Sequence, residues 1–270
     1  MKLILLTAYL LLQLNVMSQL IKDPAGANIG LSAYSKNFLD AFSFTGNTAS
    51  LTKIIRVQAG IFSERRFLLN STNFYSVAIV APAHHGNFGF QASYFGFSKF
   101  NEAELGIAYA KTLGKIDIGI RFNYNNISIP VYGGSSNINF EIAGLVALTN
   151  KLIAGLQIYN PVGSSISKPM EKLPALYKFG IGYEASDKFY IALEIIKEEN
   201  QPVNVVAGFQ YYYEKRLFVR AGIATVTTSP YMAAGIRWKQ VRLDITGSYH
   251  PYLGFTPGLV LFFDILKKGS

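Results

Sequence analysis

The chain has 270 residues, half of them hydrophobic and 15% charged, with 24 glycines, 20 phenylalanines, 17 tyrosines and no cysteine. Lacking cysteine, it has no disulfide, thiol catalysis, cysteine metal site or cysteine-linked lipid anchor. The net charge of +9 is scattered, Lys267 and Lys268 forming the one late basic pair, so no nucleic-acid partner is expected.

Lys2 and the apolar run Leu3 to Leu14 precede Val16 and Ser18, which stand at −3 and −1 before Gln19. This pattern predicts a secretory signal peptide over 1–18, with an uncleaved N-terminal helix as the alternative. Its removal takes Lys2 away and lowers the formal charge from +9 to +8. No later stretch reaches the roughly 18 consecutive apolar residues that a spanning helix needs.

Residues 19–53 alternate poorly and are punctuated by Gly26, Gly30 and Gly46, with Ala25, Ala27, Ala33, Ala41 and Ala49 between them. Small residues permit close backbone approach. The segment is expected to pack inside or beneath the following domain as a plug, or else to form a loosely ordered periplasmic leader.

From 54 to 266 the sequence breaks into short segments with one apolar and one polar face. Phe88, Phe90, Ala92 and Tyr94 oppose Asn87, Gly89, Gln91 and Ser93; Val241, Leu243, Ile245 and Tyr249 oppose Arg242, Asp244, Thr246 and Ser248. Strands are predicted near 54–62, 74–81, 87–97, 102–112, 115–129, 137–148 and 151–159. Others follow near 176–185, 188–197, 202–213, 216–225, 231–238, 241–250 and 258–265. That is about 14 strands, mostly of the length a tilted strand needs to cross a bilayer.

Tight connections at Gly114-Lys115, Thr149-Asn150, Ser186-Asp187, Glu214-Lys215 and Lys239-Gln240 alternate with longer ones at 130–136, 160–175, 198–201, 226–230 and 251–257. Short periplasmic turns and longer extracellular loops are the habit of outer-membrane barrels. The fold class expected is therefore all-β: an antiparallel transmembrane β-barrel with a small N-terminal plug. Outer-membrane lipid is its expected surrounding, in a Gram-negative bacterium after signal-peptide cleavage. Asp117, Arg121, Glu141, Glu194, Arg220, Arg237, Arg242 and Asp244 fall on the polar face and are expected to line the lumen in pairs of opposite sign. Tyr75, Phe97, Tyr109, Tyr124, Tyr159, Tyr183, Tyr213, Trp238 and Tyr249 lie near strand ends, as interfacial girdles require. Residues 267–270 form a short tail after the last strand.

Gly30-Leu31-Ser32-Ala33-Tyr34, Asp40-Ala41-Phe42-Ser43-Phe44 and Asn47-Thr48-Ala49-Ser50-Leu51 together resemble the N-terminal signature of PorV/PorQ-type barrels, within the FadL superfamily of long-chain fatty-acid transporters. That signature runs through a glycine-alanine-aromatic stretch and an acidic residue to Asn-Pro-Ala-Gly-Leu. Here Thr48 stands in place of the proline and Ser50 in place of the second glycine. Later echoes include a Phe100-Asn101-Glu102 turn, Tyr159-Asn160-Pro161 and Tyr249-His250-Pro251. The resemblance implies a 14-stranded barrel with a plug built on Gly30, Asp40, Asn47, Ala49 and Leu51.

Two functions follow from the resemblance. PorV-like members serve type IX secretion, which implies an accessory of protein export or outer-membrane assembly whose partner is a larger secretion or assembly barrel. FadL-like members pass hydrophobic molecules, which implies a hydrophobic ligand; the 160–175 connection is the one long loop that could hold it. The accessory role is preferred here, transport is the alternative, and a purely structural barrel is the third possibility. No catalytic constellation is expected. The three histidines are His84, His85 and His250, no acid flanks the first two, and Asp244 stands too far along its strand from His250 for a triad bond. No metal or cofactor is anticipated.

Overall fold

A computed structural model describes residues 28–130, 133–162, 174–214, 216–226 and 228–265. Residues 1–27, which include the expected signal peptide, most of the 160–175 connection and residues 266–270 lie outside the described residues.

Fourteen antiparallel strands close on themselves. They are β1 (Val57–Arg65), β2 (Asn73–Ala83), β3 (Gly86–Phe97), β4 (Phe100–Leu113), β5 (Ile116–Ile129), β6 (Gly133–Ala147) and β7 (Leu152–Tyr159), then β8 (Leu176–Ser186), β9 (Phe189–Glu198), β10 (Asn204–Tyr213), β11 (Leu217–Ala224), β12 (Ser229–Trp238), β13 (Val241–His250) and β14 (Gly254–Ile265). Each pairs with its sequence neighbours, and β1 pairs with β14 from Val57↔Ile265 to Glu64↔Gly258, so no edge remains. The order is up-and-down, as the alternating sequence requires.

Pleating turns the period-2 pattern into two surfaces. On β13, Arg242, Asp244, Thr246 and Ser248 are buried inside, while Val241, Leu243, Ile245 and Tyr249 are exposed outside. The same inversion holds around the wall, where Ile107, Ile118, Phe122, Ile142 and Met232 all face outward. An exterior this apolar suits hydrocarbon, and closure satisfies the strand backbones within the wall.

Five expectations need correction. The first strand starts at Val57, three residues late, because Thr48–Lys53 forms 3-10 turns and Ile54 is tied by its carbonyl to the Asn87 amide. β6 and β14 begin four residues early, at Gly133 and Gly254. Their small residues give no apolar alternation, yet the ladders continue to Ile129↔Gly133 and His250↔Gly254. Asn101 and Glu102 are not in a turn but in β4. Phe97 pairs with Phe100 across the 98–99 turn, and Gly96, with a φ of +112°, lies so close to β4 that a β-carbon there would meet the Phe100 carbonyl oxygen. Tyr159 leaves the girdle: its side chain points inward and its hydroxyl meets the Asn139 amide at 2.8 Å. With strands this long, the 98–99 and 251–253 connections are brief, and loop length separates the two ends less cleanly than expected.

Candidate functional site

Inside the wall, residues 28–54 fold into the end of the lumen that carries the short turns. Residues 28–30 are helical, and a 3-10 turn at Leu31–Tyr34, an α-turn at Ser43–Gly46 and 3-10 turns at Thr48–Lys53 follow. Two of its turns cross at Gly30 and Gly46, where a β-carbon on Gly46 would lie 2.2 Å from the Gly30 carbonyl oxygen. Ala33, Ala41, Ala49, Phe44 and Leu51 are fully buried.

The wall is shaped to this plug. A β-carbon on Gly180 would lie 2.0 Å from the Tyr34 ring, and one on Gly119 would lie 2.6 Å from the Ala49 nitrogen. Gly60 and Gly89 likewise make room for Phe42 and for Leu51 with Phe44. Phe42 also meets Phe62 and Phe262 edge-on at 6.4 and 5.9 Å.

One charge cluster anchors the centre. Asp40 Oδ2 accepts from Arg242 Nη2 at 3.0 Å and from Arg220 Nη2 at 3.3 Å. Asp40 Oδ1 accepts from the Phe42 amide, and Ser43 Oγ accepts from the Asp40 amide. Arg242 also bonds both oxygens of Asp244, its Nη1 donates to the Tyr212 hydroxyl, and its guanidinium lies over the Phe218 and Phe262 rings at 4.6 and 4.0 Å. Two guanidinium groups thus meet two carboxylates away from water. Such a cluster is tolerable because the charges balance and the Arg242 fork is shared among Asp40, Asp244 and the Tyr212 hydroxyl, although the Arg220 Nε is left without a partner.

Other contacts fasten the rim of the plug. Glu184 accepts from the Ser35 hydroxyl, from the amides of Lys36 and Asn37, and from the Asn37 side chain. A bulge between Glu184 and Ser186 shifts the strand register at that point. The Tyr34 hydroxyl donates to Glu194 at 2.6 Å, and the Tyr190 hydroxyl donates to the Leu31 carbonyl. Burial first, and then the Glu194 carboxylate, push the Tyr34 phenol well above its ordinary pKa, so it remains a donor. Asn47 caps Ala49 and reaches the carbonyls of Gly144 and Leu156, while Gln157 accepts from the Thr48 amide and donates to Glu141. Lys53 pairs with Asp117 at 2.6 Å, and the Asn87 amide donates to the carbonyls of Leu51 and Ile54.

The charged residues singled out in the sequence therefore sort into groups. Arg220, Arg242 and Asp244 converge on Asp40. Glu194 meets Tyr34, and Asp117 meets Lys53. Arg121 and Glu141 join Glu104 across the wall, with Arg121 over the Phe44 ring at 5.7 Å. Arg237 stands apart at the short-turn rim with Asp264. Gly30, Asp40, Asn47, Ala49 and Leu51 all lie in the plug. Sequence reasoning quoted Tyr34 only within the N-terminal signature and Asn87 only on a polar strand face, and it passed over Gln157 and Glu184. A polar residue at an inward strand position was the one signal for the last three, and it does not reveal a partner.

The opposite mouth is different. Arg66 is buried against Glu64 and stacks on Phe74 and Phe95 at 5.4 and 4.8 Å. Above it, Phe67 and Leu68 both hold positive φ, at 56° and 58°. Phe67 meets the His250 ring edge-on, and His250 Nδ1 accepts from the amides of Tyr252 and Leu253. Leu68, Leu69, Tyr252 and Leu253 are exposed and form an apolar lip. Among the described residues no group of three His, Asp or Glu side chains is placed to hold a metal.

No protein-family model matches the chain, and no curated protein matches its sequence. Among solved structures, it is similar to the CymD monoaromatic hydrocarbon channel, with a TM-score of 0.63 and 13% identity over 86% of this chain and 94% of that one. It is also similar to the Pseudomonas putida toluene transporter TodX, with a TM-score of 0.58 and 10% identity over 82% and 92% of the two chains. At such identities the shared property is the fold. The chain is a closed 14-stranded antiparallel β-barrel, and its fold is similar to that of those two proteins.

Proposed function

We propose that this chain is an outer-membrane channel for small hydrophobic molecules, its lumen closed by its own N-terminal plug. One observation carries this reading: the plug occupies the short-turn half of the lumen, seated on wall glycines and pinned through Asp40, in a barrel whose fold is shared with a hydrocarbon channel and a toluene transporter. A general water-filled pore has no use for such a plug.

Arg121, Glu141, Glu194, Arg220, Arg242, Asp244 and Asp117 act in this account as the plug's mooring. Gly30, Asp40, Asn47, Ala49 and Leu51 are the plug's half of it. The lip of Leu68, Leu69, Tyr252 and Leu253 offers an apolar landing surface at the long-loop mouth. Strain at Phe67 and Leu68 fits a loop kept for binding, since positive φ in bulky residues persists where surrounding contacts hold it. The chain's role is passage, not chemistry.

This reverses the preference drawn from the sequence, where an export accessory stood first. The structural likenesses favour transport, and nothing in them supports a type IX secretion partner. The discriminating experiment is a mild-detergent pull-down of the tagged barrel from native outer membranes, with mass spectrometry of proteins and small molecules. Transport predicts a solitary barrel carrying a hydrophobic ligand. Stoichiometric recovery of a large secretion or assembly barrel would overturn it.

A further inference from the structure

The two rims of the barrel differ in charge. Six short turns close one end. The first carries His84 and His85, and each of the other five carries an exposed cation: Lys115, Lys151, Lys188, Arg216 and Lys239. None of these five is in an ion pair with a described residue. The exposed acids in the same turns are Asp187 and Glu214. At the opposite rim, the described Arg65, Lys99 and Lys197 are matched by Glu102, Glu198 and Glu199.

The five turn cations sit on the perimeter, and Lys36 of the plug, exposed and bonded to the Asn150 carbonyl, adds to them at the same end. Successive short turns are two strands apart, which at about 4.8 Å per strand is roughly 10 Å along the rim. Beside them, Tyr183, Tyr213 and Trp238 are exposed on the lipid-facing wall, at the depth where aromatic side chains meet headgroups. A partner capping the end would be met by a cluster at the mouth. A ring flush with an aromatic girdle meets the bilayer surface all round.

We propose that the short-turn rim is a binding surface for anionic phospholipid headgroups, which enriches such lipids around that end. Lysine and arginine stems lie along the apolar wall and place their charges among phosphates, and each added cation strengthens the attraction. This inference does not depend on what the channel passes.

Trp238 is the chain's single tryptophan and is 77% exposed. It lies beside Lys239 and next to Arg216, whose carbonyl accepts from the Arg237 amide at 2.7 Å. The barrel is reconstituted in mixed phosphatidylcholine and phosphatidylglycerol vesicles in which one lipid or the other is brominated, and Trp238 quenching is read at equal mole fraction. Brominated phosphatidylglycerol should quench about twofold more strongly at low ionic strength. The excess should vanish near 1 M salt, where the screening length is about 3 Å, and should fall in the Arg216→Gln/Lys239→Gln double variant. Equal quenching by both lipids at low salt would overturn the proposal. So would an excess that survives salt, or one that a folded double variant leaves intact. Should the variant not insert, the salt series on the natural chain decides alone.

Discussion

The ring of Tyr34 occupies the space that a side chain on Gly180 would need, within 2.0 Å of where its β-carbon would stand. Plug and wall are therefore complementary at the level of single atoms, and enlarging the wall at this point must move the plug. Gly180→Val is expected to cost about 1–3 kcal/mol of plug docking through overpacking. The outer face of the strand is unchanged, so the barrel should still fold. Limited proteolysis in detergent checks this: cleavage within residues 28–54 should become faster while the strands stay protected.

Asp40 is the plug's contribution to a four-charge cluster. Asp40→Asn leaves Arg220 and Arg242 facing Asp244 alone, and stranding a buried charge typically costs about 3–5 kcal/mol. The expected outcome in planar bilayers is frequent ion-conducting openings in the variant against a quiet natural chain. Replacing Arg220 with Gln alongside Asp40→Asn should restore part of the closure, because the remaining charges balance again.

Tyr34 gives the docked plug a pH dependence. Burial and the Glu194 carboxylate hold its pKa well above the ordinary 10.0, so as pH rises the undocked plug loses this proton first. Docking stability from Tyr34 is complete below about pH 10 and declines above it. Proteolysis of the plug measured against pH should accelerate above that point in the natural chain. The Tyr34→Phe variant should start faster and show less of the alkaline increase.

The barrel was largely legible in the sequence because period-2 alternation survives in most strands, though β7 and β9 also place apolar Ile153, Ala192 and Ile196 on the inner face. The long ladders of β6 and β14 were not fully legible, since Gly133, Gly134 and Gly254 pair by backbone and carry no apolar signal. The plug was visible as a glycine- and alanine-rich stretch, but not its moorings. Asp40 finds Arg220 and Arg242 at separations of 180 and 202 residues, and only barrel closure brings them within reach. Gly89 and Gly119 stood on the polar face of their strands, yet their emptiness has meaning only once Leu51 and Ala49 are in place.

At the other mouth, positive φ at Phe67 and Leu68 stores strain of about 1–3 kcal/mol per residue. Leu68→Gly should relieve it and raise thermal stability by about 1 kcal/mol. It also removes apolar surface from the lip, so uptake of a hydrophobic ligand should slow. A combined melting and uptake assay reads both; gain in stability with unchanged uptake would remove Leu68 from the landing surface.

The central claim is passage of small hydrophobic molecules through a plugged barrel, and initial uptake of radiolabelled toluene by cells lacking other hydrocarbon channels tests it most directly. Cells expressing the natural chain should accumulate toluene several-fold faster than cells without it, while their permeability to sucrose stays at background. Equal toluene uptake with and without the barrel, or a matching rise in sucrose entry, would contradict the account.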